Sequence, residues 1–236
     1  MLRSLIYFAK LALYWLVFFT LYRIIFLISY PSKIPDGKFS EALMVFVYSF
    51  RMDAATIAYL IAIPLILWAI QQFVKKNFIN RTNHFYNIAL ISAITIVCIS
   101  NIAMYGEWNA LINYNTFHYL LSPAKIFPYL NTFELIATGL GVMAGIAAFV
   151  LLFRVMILMV IPYSTGKMMY KLIIPPIIFP IVFFTMRGGT QQMPINETSA
   201  CFSETKFLDH VSVNPVWHLG HMAFLGVEEI EKEPLP

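Results

Sequence analysis

Long apolar runs separated by short polar stretches make up most of the chain. Five such runs recur, at about 5–29, 54–73, 86–105, 133–153 and 172–186. Most come close to the roughly 20 residues a helix needs to cross a hydrocarbon core about 30 Å thick. The pattern predicts an all-α membrane protein, a bundle of about five transmembrane helices spanning 1–186, followed by a polar tail from 187 to 236. The first run is too long for a signal peptide, and no small-residue cleavage pattern follows it, so it reads as a retained helix.

Departures from the pattern carry information of their own. Arg23 interrupts the first run near its far end, where a long cationic side chain can snorkel toward the headgroups. Pro31, Pro35 and Gly37 mark a loop. The apolar stretch 42–50 is too short to span; it reads either as an interfacial helix or as an extension of the second run beyond the lipid. Pro64 should kink the second run. Gly139, Gly141 and Gly145 in the fourth run would let a neighbouring helix approach closely. The fifth run holds Pro175, Pro176 and Pro180 and is the least regular. The tail carries seven of the 12 acidic side chains, and its last residues, 228–236, read as disordered.

Composition agrees with a lipid setting. The 236 residues are 60% hydrophobic and 12% charged, which leaves too few polar groups to cover a soluble fold of this length. The net charge of +4 is not a nucleic-acid signal, because no basic stripe lies outside the short connections. Cys98 and Cys201 do not make a disulfide framework. With a cytoplasmic N-terminus, the cytoplasmic pieces hold Arg3, Lys10, Lys75, Lys76, Arg81, Arg154, Lys167 and Lys171, and no acid. The external loops hold Lys33, Lys38, Arg51 and Lys125. The excess of eight to four favours this orientation. Five spans would then place the C-terminus outside the cytoplasm.

Several stretches resemble a known family. Phe50-Arg51-Met52-Asp53-Ala54-Ala55 lies at the mouth of the second span, and Asn115-Thr116-Phe117-His118-Tyr119-Leu120 through Pro123 in the outer loop. Arg187-Gly188-Gly189 to Pro194-Ile195-Asn196, then Val213-Asn214-Pro215-Val216-Trp217, follow the last run. Together they resemble the membrane portion of bacterial lipoteichoic-acid synthase-like proteins of the sulfatase superfamily, over about residues 5–221. The resemblance implies a bacterial cytoplasmic (inner) membrane protein. It also implies an extracytoplasmic alkaline-phosphatase-like domain after Asn214-Pro215, with a divalent metal such as Mn or Zn and a Thr nucleophile. That domain would transfer phosphoglycerol or phosphoethanolamine from a phospholipid, or hydrolyse a sulfate or phosphate ester. It is expected to be missing before Pro236, as in a truncated, split or frameshifted reading frame. No catalytic, metal or cofactor role is therefore carried to any residue of this chain.

Three residues are candidates for a lipid headgroup. Glu134, at the start of the fourth run, is either a functional intramembrane carboxylate or an interfacial one in headgroup water. Arg51 and Asp53 form either a headgroup clamp, a task to which Arg is suited, or a local salt bridge with Asp53 capping the helix. Trp108, Tyr114, Tyr119 and Tyr129 line a lipid-entry groove or form an interfacial belt. His218 and His221 have H-x-x-H spacing, with no carboxylate or cysteine at ligand distance in sequence. Asn196-Glu197-Thr198 matches a glycosylation sequon.

Two functions are thus expected from the residues and the resemblance. The first is a membrane anchor and lipid-facing domain, inactive alone, whose partners are membrane phospholipid and a catalytic domain in a separate or continued reading frame. The alternative is a non-enzymatic polytopic protein such as a small transporter or assembly partner. A transporter of the repeat type should show midplane charges and broken helices, and only the proline-rich run hints at the latter.

Overall fold

The computed structural model describes residues 2–74, 77–112, 132–157, 168–191 and 193–232. The described residues are helical or irregular, with no strand among them. Five helices form the body: α1 (Leu2–Ser29), α2 (Phe39–Gln71), α3 (Asn77–Trp108), α4 (Thr132–Met156) and α5 (Met168–Met186). Two more follow, α6 (Lys206–Ser212) and α7 (Pro215–Lys232). Helices α1 to α4 are long and apolar enough to cross a membrane; the apolar part of α5, Lys171–Met186, is shorter. This is the architecture of a helical membrane protein.

Helix α1 is the hub. Tyr7, Leu11, Tyr14, Trp15, Phe18, Phe19, Tyr22 and Phe26 are buried along it. They recur at three- and four-residue spacing and so share one face. Edge-on ring contacts tie Tyr14 to Phe153 of α4 and Phe26 to Tyr105 of α3, at centroid distances of 5.3 and 5.0 Å. The opposite face of α1 leaves Leu13, Ile25 and Ile28 exposed. A helix apolar on all sides suits a setting with protein on one flank and lipid on the other.

The helices alternate in direction. At one end Tyr30 packs on Gly106, and Arg51 Nε donates to the Gly188 carbonyl at 2.8 Å. At the other, Gln71 Nε2 donates to Asn80 Oδ1 at 2.8 Å, and Lys171 Nζ to the Gln72 carbonyl at 3.2 Å. Helix α5 therefore runs beside α2 from the level of Gln72 to that of Arg51. The first of these ends is called the cap end below.

Apolar residues 42–50 belong to α2, which is unbroken over 33 residues and about 50 Å long. Pro64 sits inside it. A proline there deprives the carbonyl four residues back of its donor. That carbonyl, of Leu60, instead accepts the Tyr86 hydroxyl of α3 at 3.1 Å, the kind of rescue by a neighbour that lets a spanning helix keep a proline. Of the three glycines in the fourth run, Gly145 makes the close approach. A Cβ there would stand 2.8 Å from Ile99 Cδ1 and 3.0 Å from Thr95 Cγ2. Gly139 faces open space.

Residues after α5 fold back rather than trailing away. Gly188 at φ 83° ends α5. Its N–H reaches the Thr185 carbonyl and the Gly189 N–H the Phe184 carbonyl, both at 2.9 Å, the paired bonds of a glycine-terminated Schellman cap. The chain then returns through a short turn at Glu197–Ser199 to α6, which packs against α1 and α2. Residues 228–232, expected to be disordered, continue α7 as helix.

Candidate functional site

The strongest constellation joins α1, α2 and the returning segment. Arg23, completely buried, meets Asp53 in a two-pronged ion pair: Nη1 to Oδ2 at 2.7 Å and Nη2 to Oδ1 at 2.8 Å. Its Nε donates to the Val211 carbonyl and Nη2 also to the Ser212 carbonyl, each at 3.1 Å. Nη1 reaches back to the Phe19 carbonyl at 3.4 Å. A guanidinium has five N–H groups, and these five bonds give each one an acceptor. Asn214 completes the set, with Nδ2 on Asp53 Oδ1 at 2.8 Å.

Asn214 also starts the last helix. Its Oδ1 accepts the N–H groups of Val216 at 3.0 Å and Trp217 at 3.3 Å. This is N-cap chemistry, with Pro215 in the first helical position where its missing N–H costs nothing. One amide thus reads the buried carboxylate with its nitrogen and aims α7 with its oxygen.

Two expectations are corrected by this arrangement. Arg23 does not snorkel; its partners lie inward, so the charge is neutralised within the protein. Asp53 neither pairs with Arg51 nor caps a helix, since it lies in the interior of α2 and is buried. Arg51 instead holds the Gly188 carbonyl and Gln191 Oε1. Glu134 falls in the first turn of α4, with its side chain outside the described residues. Tyr114, Tyr119, Tyr129 and the 115–123 motif also lie outside the described residues, while Trp108 ends α3 half-exposed.

His218 has a carboxylate partner that sequence spacing hid: Glu197 Oε1 stands 2.6 Å from its Nδ1. His221 turns aside to stack on Trp217 at 4.6 Å. Among the described residues no group of three His, Cys, Asp or Glu gathers for a metal. His210 on α6 bonds the Tyr105 hydroxyl through Nδ1 at 2.9 Å. Burial holds its pKa below the ordinary histidine value, and His218 adds to the effect against the opposing charges of Asp209 and Glu197. Burial likewise raises the Cys201 thiol, helped by Asp209 and Glu197.

Beside the clamp lies a groove of about 670 Å³ between α2, the end of α5 and α7. Tyr59, Leu60, Phe183 and Ile195 make its apolar walls; Arg187, Trp217 and His221 supply polar atoms. The Thr56 hydroxyl on α2 is committed to the Met52 carbonyl at 2.9 Å. His221 Nδ1 has no hydrogen-bond partner among the described residues. A slot with greasy walls and cationic or aromatic polar groups suits an amphiphile. A smaller crevice of about 410 Å³, on the opposite face of α2, lies between α1, α2 and α5 and is lined by Ala12, Ala54, Ala58 and Val182 among others.

No protein-family model, curated protein or solved structure matches the chain.

Proposed function

We propose that this chain is the membrane anchor and lipid-facing domain of a bacterial envelope enzyme of the sulfatase superfamily, in the lipoteichoic-acid synthase-like style. It crosses the cytoplasmic membrane five times, with its N-terminus inside and its C-terminus outside, and is inactive alone. The observation that carries the reading is the Arg23–Asp53–Asn214 clamp, because it fixes the direction of α7 relative to the bundle. A catalytic domain carried beyond α7 would be held close to the bilayer, where tethering raises its effective concentration near a lipid substrate. The groove beside the clamp would admit the phospholipid. Alkaline phosphatase fusions after Arg187 should be active and cytoplasmic reporters silent; the reverse pattern overturns the topology. Purified chain given phosphatidylglycerol or phosphatidylethanolamine and Mn should release no headgroup, and metal-dependent turnover would refute the anchor role.

A second reading, a small transporter, draws on the end remote from the cap. Gln71 Oε1, Asn87 Oδ1 and Trp68 Nε1 are buried there without partners among the described residues, an arrangement that polar solute or water would satisfy. Uptake of a labelled polar solute into vesicles holding the pure chain would favour it over the anchor.

A further inference from the structure

The first third of α2 has an unusual surface. Phe39, Leu43, Val47 and Phe50 are 71%, 55%, 66% and 56% exposed. They recur every three or four residues and so lie on one face. The series continues through Ala54, Ile57, Ala58 and Ile61, which with Phe50 line the crevice against α1 and α5. One apolar stripe therefore runs without a polar break from the middle of the bundle to the tip of α2.

The other side of the same segment is buried or polar. Ala42, Val45 and Ser49 are buried. Glu41 accepts the Ser203 hydroxyl at 2.8 Å and pairs with Lys38 at 3.2 Å, and Lys38 reaches Glu204 at 3.6 Å. The returning segment thus covers one flank of the arm and leaves the stripe bare. At its edge Tyr48 stacks on Phe202 at 4.5 Å, nearly parallel.

We propose that this arm, residues 39–50, lies in the outer leaflet of the bilayer, with its stripe against acyl chains and its polar flank carrying the returning segment at headgroup level. Length supports the assignment. A helix of about 50 Å overshoots a hydrocarbon core of about 30 Å if upright. Tilted by about 30°, within the range of spanning helices, it occupies about 43 Å, the thickness of a bilayer with its headgroups. Lipid is the occupant because the exposed stripe leads from Phe50 directly into the apolar crevice between α1, α2 and α5, where Ile57, Ala58 and Ile61 are already buried within the bundle. A partner protein would have to cover only its upper half.

Depth quenching tests this. Val47→Cys and Leu43→Cys, each in a Cys201→Ser background and carrying an environment-sensitive fluorophore, would be placed in vesicles of phosphatidylethanolamine and phosphatidylglycerol. Glu204→Cys, whose parent side chain is 95% exposed, serves as the aqueous reference. The arm sites should be quenched several-fold more by acyl-chain spin labels than by iodide, with Glu204→Cys showing the reverse. Iodide quenching at both arm sites equal to the reference overturns the proposal. So does Val47-to-Val47 cross-linking across copies with no lipid quenching, which would assign the stripe to a second copy of the chain.

Discussion

The two ends of the bundle solve the same problem in opposite ways. Both bury polar groups where water is scarce. The cap end uses full charges: Arg23 and Asp53, with Asn214 and three carbonyls filling the remaining valences. The other end uses neutral amides: Asn83 Nδ2 on the Tyr7 hydroxyl at 2.8 Å, Asn87 on Asn83, Gln71 on Asn80. The charged solution joins residues up to 189 positions apart and tolerates one register only, since any shift strands a buried charge. Neutral amides exchange partners cheaply; two there, Gln71 and Asn87, keep an atom without a partner among the described residues. The cap end is therefore built for a fixed orientation, and the remote end for cohesion.

The largest expected effect comes from breaking the charged end. Arg23→Ala leaves Asp53 buried without its cation and should cost about 3–5 kcal/mol. The double variant Arg23→Met with Asp53→Leu should recover most of that loss, because the same principle makes an apolar replacement of a buried pair nearly neutral. Thermal unfolding in detergent reads both. The contrast with the neutral end is lost if Arg23→Ala is no worse than a single amide deletion there. Protease access between Gly189 and Asn214 should rise in Arg23→Ala and stay high in the double variant, which restores stability without the clamp.

A smaller loss is expected where α3 meets α4. Gly145→Leu must push aside Ile99 and Thr95, and overpacking of that kind costs about 1–3 kcal/mol. Only 6% of the most apolar stretch of α4 is buried, against 56% for α2, so the change should loosen α4 alone and leave the clamp intact. Cysteine cross-linking between α1 and α2 checks that separation. Smaller again, Asn83→Ala should cost about 1 kcal/mol, the scale of a hydrogen bond between membrane helices.

Hydropathy made α1 to α4 legible because a long apolar run needs no knowledge of its neighbours. The short run 42–50 was ambiguous for the same reason: nothing in the run itself says whether the helix continues to Ala54. Arg23 and Asp53 were visible as charges, but their pairing was not. Each had a nearer explanation, a snorkelling cation and a cap beside Arg51, while the true contact crosses between two helices. Glu197 and His218 lie 21 positions apart on either side of α6, and only the fold-back after Gly188 brings them together. The Gly188-Gly189 pair was the one sequence signal of that reversal. It was readable as a helix stop, but the direction the chain takes afterwards depends on Arg51 and the clamp.

The smallest prediction concerns acid. The pKa of His210 is lowered by burial and by the nearness of His218, with Lys206 acting in the same sense and Asp209 and Glu197 opposing. Its pKa in the folded protein is below the ordinary histidine value of 6.5, so between the two values the unfolded chain binds the extra proton. Stability then falls as pH drops through about 6.5, by at most about 1.4 kcal/mol per pH unit for one proton, and levels off below the folded pKa. Above that window the contribution is complete. Unfolding midpoints from pH 8 to pH 5 should decline in the parent and decline less in His210→Gln, which carries no titrating ring but can still bond the Tyr105 hydroxyl. An unchanged slope would remove His210 from the account and leave the acid sensitivity of the cap to its carboxylates. Arg23→Ala, by loosening α6, should expose His210 and flatten the same slope, which links the weakest of these effects to the strongest.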